Sequence, residues 1–493
     1  MAVYGAASPS DAHRAERRPW AGSEDALSDT EPETATSSPP DGPAETSLLR
    51  SFGLPSAAAL VVANIIGAGI FTTTGFQAAD LGHPGWILAL WVLGGLLALA
   101  GALCYAELGA AMPEAGGEYV YLRETFGPML AFMSAFVSLV AGFSAPIAAA
   151  SKALVRYLAH FAPELTAPSS AMGVAREQWI AIAFVWLLVA VHLRGAGGVR
   201  ANDLLTVLKV FGIVAICVAA FALGRGQVGN LVTVSPRHQE LGLPGLFAAL
   251  GTSLIFVGFC YTGWNAAGYI AAEMKAPQRD LPRALLLGTG VVIVLYLGLN
   301  LVYLYGADVD QLAGRVEVGL VAARNLFGPV GVAAMTAVLA VSIFASMSAM
   351  TIAGPRVYYA FGRDFPPARG LTRLTRRGGA PFVALLLQGG VTSALILSGT
   401  VDQIQQYAGF TLTLFTSLAV LAVIVLRHRR PELPRPFRAW GYPWTPLFFL
   451  SVSVWTMAWA LRGRPLESLL ALLTVGVGGA LFALLRRLQR GGA

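Results

Sequence analysis

The chain has 493 residues, 56% of them hydrophobic and only 12% charged, with a formal net charge of +7. Soluble domains carry about a quarter charged residues, so this deficit argues against a water-soluble protein and for one that lives in a bilayer. The basic balance could suggest nucleic acid, but positive loops beside a membrane account for it without any such partner.

Residues 1–49 stand apart. "SEDALSDTEPETATSSPPDGPAET" is rich in Ser, Pro, Thr and acids, and the whole segment carries nine Asp/Glu against three Arg. It cannot bury a core, and disorder is expected. It lacks the apolar stretch of a signal peptide. Setting aside its −6 leaves +13 on the remainder.

Twelve apolar runs follow, at about 55–77, 84–112, 127–157, 177–194, 203–223, 245–271, 284–305, 326–355, 381–399, 403–426, 444–462 and 465–486. A membrane-spanning helix needs about 20 such residues. The third and eighth runs are long and should tilt or run past the bilayer. With both termini inside, the inner loops and termini hold 24 Lys/Arg and the outer loops nine. That bias predicts an N-in, C-in topology.

The first run contains "NIIGAGIF". Gly67 and Gly69 flank Ala68 mid-run, where glycine weakens a helix. In the fifth run, "NDLLTVLKVFGIVAI", Lys209 is the only lysine in a clearly embedded position. A charge there costs several kcal/mol unless paired or solvated, which marks it as functional. The alternative is a lysine about two turns into its helix that snorkels to the interface.

The sixth run contains "VGFCYTGWNAAGY", again interrupted around Thr262 and Gly263. Five spans separate the two interruptions, which reverses the orientation of the second half. Paired breaks in inverted halves point to the binding site of a secondary transporter. Small residues that merely let helices pack closely explain most glycines, but not corresponding positions in two halves.

A broken helix frees N–H groups that attract an anion and carbonyls that attract a cation. A zwitterionic α-amino acid suits both. Its carboxylate is expected at the N–H groups of Ala68 and Gly69, and its ammonium at the carbonyls of Ile65, Phe259 and Thr262. In the eighth run, Ser342 and Ser346 share a helix face and could offer hydroxyls to Lys209; bonding to their own helix backbone is the alternative.

Glu107 and Glu273 are expected to be structural, capping or pairing with loop arginines such as Arg123 or Arg279, and Asp80 to sit at the outer rim. No acid falls convincingly in the pocket, whereas Phe259, Tyr261, Trp264 and Phe410 suit a neutral side chain. Cys104, Cys217 and Cys260 all lie in apolar runs and show no disulfide or metal spacing.

Four segments carry a family resemblance. "ANIIGAGIF", "YAELGAAMPEAGGEYVYLRETFG" (105–127), "AAEMKAPQRDLPRAL" (271–285) and "AGPRVYYAFGRDFPP" (353–367) resemble, in order, motifs of the amino acid–polyamine–organocation (APC) superfamily. "FCYTGWN" (259–265) is similar to the helix-six signature of its L-type amino acid transporters. The resemblance implies an all-α multi-pass protein of the LeuT type, with twelve transmembrane helices, a 5+5 inverted repeat and interrupted helices 1 and 6. The domains expected are a tail at 1–49, repeats at 50–223 and 245–426, and peripheral helices at 444–486. It implies further that Phe259 gates the substrate, that Asn265 contacts its polar end, and that Lys209 occupies the place of a sodium ion or couples protons.

The function expected is therefore a sodium-independent carrier of neutral L-amino acids in the plasma (inner) membrane, exchanging or proton-coupled, working by alternating access. A cationic amino acid or polyamine antiporter is the alternative, and a channel or receptor is more remote. No selectivity-filter pattern, P-loop, nucleophile elbow or metal-spaced His/Glu/Asp set is present, so neither an enzyme nor a cofactor is expected. The partners expected are an amino acid and the lipid bilayer, without nucleic acid. The loop "HFAPELTAPSSAMGVARE" has no cysteine for a disulfide-linked heavy chain.

Overall fold

The computed structural model describes residues 50–491 apart from 160, 167–169, 172–173, 195, 376–378, 399–400 and 464. The acidic tail at 1–49 lies outside the described residues. In chain order the helices are α1 Leu54–Ile65, α2 Thr73–Leu81, α3 Pro84–Ala111, α4 Glu118–Phe126, α5 Pro128–Val137, α6 Ala145–Leu158, α7 Arg176–His192, α8 Ala196–Leu223 and α9 Pro236–Glu240. They continue as α10 Gly242–Cys260, α11 Ala266–Tyr269, α12 Pro277–Gly306, α13 Val309–Leu312, α14 Val318–Asp364, α15 Phe382–Ser398, α16 Val401–Arg429, α17 Trp444–Gly463 and α18 Pro465–Gly491. A two-stranded ladder pairs Ser170–Ala171 with Val174–Ala175.

Among the described residues, nine helices are long and apolar enough to cross a membrane, and α1 and α15 are shorter apolar helices. The protein is an all-α multi-pass membrane protein. Its outer surface agrees: on α8, Phe211 is 71% and Leu223 78% exposed, a cost in water that lipid removes.

The long runs have local explanations. The run at 127–157 is not one regular helix. A π-helical stretch, Ser138–Ser144, joins α5 to α6. The run at 326–355 belongs to α14, which bends at Gly328 (φ 66°), just before Pro329. Pro329 has no N–H to continue the ladder, and Gly328 tolerates the positive φ.

The first and sixth runs are interrupted as expected. After α1 come three non-helical residues and a 3-10 turn, Gly69–Phe71, before α2. After α10 the chain turns through Tyr261–Asn265 before α11. α1 is buried against α12, α8 and α14, and α12 packs along α3. The interrupted segments therefore lie at the centre of the bundle.

Ion pairs centred on three arginines tie its loop ends together. Arg427 from α16 forks onto Glu107 of α3, with N–O distances of 2.8 and 2.6 Å, and the Ala439 N–H caps the same carboxylate at 2.7 Å. Arg356 from α14 holds Glu273 at 2.7 and 3.1 Å. Arg123 pairs with Asp364, Glu114 and Glu124. This corrects the expected partners. Neither Glu107 nor Glu273 pairs with Arg123 or Arg279, because the arginines that reach them come from helices folded back from far along the chain.

Candidate functional site

The two breaks face each other. Gly263 has φ +98°, and a Cβ there would meet the Asn64 carbonyl at 3.0 Å. A Cβ on Gly69 would lie 2.7 Å from the Cys260 sulfur. Glycine at these two positions is what lets one interrupted helix approach the other.

Two adjoining cavities occupy the junction and share Asn64, Pro146, Thr262 and Met350. The first touches Ile65, Gly67, Ala68, Gly69 and Phe259. The second touches Gly263, Trp264, Asn265 and Tyr269. All eight residues expected to bind substrate, Ile65, Gly67, Ala68, Gly69, Phe259, Thr262, Gly263 and Asn265, thus line one cavity or both.

Their polar atoms are not equally available. Among the described residues, the N–H groups of Ala68 and Gly69 have no backbone acceptor. The Ile65 carbonyl already receives the Gly67 N–H at 2.8 Å and the Tyr296 hydroxyl at 2.9 Å. The Phe259 carbonyl receives the Thr262 N–H at 3.0 Å and its hydroxyl at 2.7 Å. A carbonyl has two lone pairs, so the Phe259 carbonyl is filled, while the Ile65 carbonyl holds the Gly67 N–H and shares the single Tyr296 hydroxyl hydrogen with the Cys260 carbonyl. The Thr262 carbonyl remains.

Lys209 is fully buried and does not snorkel. Its ammonium donates to the carbonyls of Ala63 at 3.0 Å and Ile66 at 2.7 Å. These carbonyls belong to the broken end of α1, which lacks following helix to satisfy it and carries partial negative charge. The expected hydroxyl partners are corrected. Ser342 and Ser346 are buried, but their oxygens bond neither Lys209 nor any other described group. Ser346 instead approaches Gly67, where a Cβ would sit 3.4 Å from its oxygen.

Three other aromatic expectations are sorted by position. Trp264 lines the second cavity and packs edge-on against Tyr105 and Phe449. Tyr261 lies outside both cavities, in a cluster with Trp91 and Tyr296, its hydroxyl 3.1 Å from the Trp91 carbonyl. Phe410 packs with Ala460 and Ala471, away from the site. Neighbouring residues on a turn point in different directions, which a linear reading does not resolve.

Sequence reasoning missed Tyr296 and Glu118. Tyr296 of α12 places its hydroxyl near both the Ile65 and Cys260 carbonyls, the latter at 3.0 Å, and so joins the broken ends of α1 and α10. A phenol inside an apolar run, which must find a partner, was the available signal. Glu118, 3% exposed, accepts from Asn265 Nδ2 at 2.8 Å and from the Tyr105 hydroxyl. Its signal was an acid preceded by two glycines in "EAGGEYVY".

Apolar helices enclosing a cavity between two facing helix breaks, with freed backbone groups at its wall, define a multi-pass membrane transporter rather than an enzyme. The chain belongs to the amino acid permease family, whose model, described as "Amino acid permease", matches residues 52–480. Three relatives are themselves transporters. It is 27% identical over 435 residues to the serine/threonine exchanger SteT of Bacillus subtilis, covering 88% of this chain and 95% of that protein. It is 27% identical over 422 residues to the mouse large neutral amino acids transporter small subunit 2, covering 83% and 76%. The human cystine/glutamate transporter is likewise 27% identical over 424 residues, covering 85% and 83%.

Proposed function

We propose that the protein is a sodium-independent secondary transporter of neutral L-amino acids, an exchanger or proton-coupled symporter working by alternating access. The observation that carries this reading is the pair of breaks around a cavity whose lining, among the described residues, includes N–H groups without a backbone acceptor and no acidic residue. The substrate carboxylate sits at Ala68 and Gly69, its ammonium at the Thr262 carbonyl and Asn265, and Phe259 covers its side chain. A distal cation would find no counter-charge there.

Lys209 supports sodium independence. Its ammonium satisfies the carbonyls that a bound cation would otherwise have to satisfy. The relatives' names span serine and threonine, large neutral amino acids and cystine with glutamate, so the family alone leaves the side chain open.

Within this reading the chain has the LeuT-type arrangement of twelve transmembrane helices. Inverted repeats occupy 50–223 and 245–426, peripheral helices 444–486, and the acidic tail 1–49. Both termini face the cytoplasm from the plasma membrane. It works without a disulfide-linked heavy chain, since Cys104, Cys217 and Cys260 all lie on apolar helices.

The test is a competition screen of the natural amino acids in proteoliposomes, with and without sodium and pH gradients. Leucine-like substrates should compete best and sodium should have no effect. Arginine or putrescine outcompeting leucine would overturn the substrate assignment, and sodium dependence would overturn the role of Lys209.

A further inference from the structure

Asn265 spends both of its amide hydrogens on protein. Its Nδ2 lies 2.8 Å from Glu118 Oε1 and 2.8 Å from the Tyr269 hydroxyl. The Tyr105 hydroxyl also donates to Glu118 Oε1, so that atom is held from two sides. What Asn265 has left is its carbonyl oxygen, an acceptor, and the residue lines the second cavity. A free asparagine could turn either end toward a ligand. This one cannot without losing two buried hydrogen bonds.

We propose that Glu118 is a positioning residue for ligand selection. Its carboxylate locks the Asn265 amide so that the Asn265 carbonyl faces the cavity and receives the ammonium of the transported amino acid. This rests on the reading of the cavity as the amino acid site and adds what enforces recognition of the amine.

The surroundings make Glu118 responsive to pH. The titratable groups facing it are phenols: Tyr105 from α3, Tyr121 from its own helix and Tyr269 from α11. α5, α14 and α16 also pack on α4, but Asp364, Arg427 and Arg430 engage Arg123, Glu107 and Glu124 instead. Among the described residues no cation pairs with Glu118. Burial pushes its carboxyl up to about 7, against the opposing hydrogen bonds from Tyr105 and Asn265. Below that pH the carboxyl is neutral and a weaker acceptor, the hold on Asn265 loosens, and affinity for the amine falls.

The experiment is counterflow in proteoliposomes with L-leucine and its 2-hydroxy analogue as competitors, at a series of pH values equal on both sides. Where the screen of the unmodified protein selects another amino acid, that amino acid and its 2-hydroxy form replace the pair. An error in substrate assignment thus changes the probe and leaves the test of Glu118 intact.

The unmodified protein should show KM rising several-fold from pH 8.5 to pH 5.5. Glu118→Gln keeps the acceptor and cannot titrate, so its KM should be flat with pH. Glu118→Ala frees the amide, and the preference for the amino acid over its hydroxy analogue should fall by roughly tenfold or more, the worth of a hydrogen bond to a charged group. Preference retained in Glu118→Ala, or a pH profile in Glu118→Gln matching the unmodified protein, would overturn the proposal. Should Glu118→Ala fail to fold, the Glu118→Gln profile decides alone.

Discussion

Lys209→Met is the most informative single change. Methionine fills a similar apolar volume but offers nothing to the Ala63 and Ile66 carbonyls, which now accept at 3.0 and 2.7 Å. Each buried carbonyl left unpaired costs about 1–3 kcal/mol. Relief from burying an ammonium offsets part of this. A net loss of about 2 kcal/mol at the broken end of α1 corresponds to roughly thirtyfold in any equilibrium that needs that end in place. Counterflow in proteoliposomes at matched protein amounts should therefore show transport reduced by at least an order of magnitude. Lys209→Ala, which leaves space as well as bare carbonyls, should regain part of its activity in sodium over choline. Lys209→Met with KM and turnover equal to the unmodified protein would refute the reasoning. The lysine would then be a buried spectator.

Three further changes separate backbone geometry, bridging and scaffold. Gly263→Ala forces a side chain into φ +98° with backbone 3.0 Å away, so a loss of about 1–3 kcal/mol should appear as impaired transport with the protein still membrane-inserted. Tyr296→Phe removes the hydroxyl near Ile65 and Cys260 while keeping the ring. It should cost about 1 kcal/mol, read as a several-fold change in KM with little change in abundance. Glu273→Gln breaks the buried fork with Arg356, and about 3–5 kcal/mol should be lost as a lower Tm in detergent. An unchanged Tm would assign that pair no structural role.

What could be read from the sequence, and what could not, divides by the range of the interaction. The helix breaks were legible because glycine acts through its own φ and its own missing Cβ, and the pattern recurs five spans apart. Span edges were less so. α8 starts at Ala196 rather than near 203, so Lys209 lies about 20 Å along its helix, too deep for the snorkelling alternative. Pairings were not legible at all. Glu107 meets Arg427 across 320 positions, and Tyr296 meets Ile65 across 231. No local pattern encodes such contacts.

The same distinction changes how the site is understood. The sequence suggested carbonyls at both breaks as the seat for an ammonium, since a break frees them. The fold fills most of them first: Tyr296 and the Gly67 N–H take Ile65, Thr262 takes Phe259, and Lys209 takes Ala63 and Ile66. A membrane interior penalises bare carbonyls, so the protein supplies internal donors for most of them. The acceptors left without a donor on residues that line the cavity, the Thr262 carbonyl and the Asn265 oxygen, both come from the second break. The N–H groups left free, on Ala68 and Gly69, come from the first. A zwitterion bridging the cavity would therefore join the two breaks by its two charges. Binding would then be coupled to the relative position of the interrupted helices, as alternating access requires.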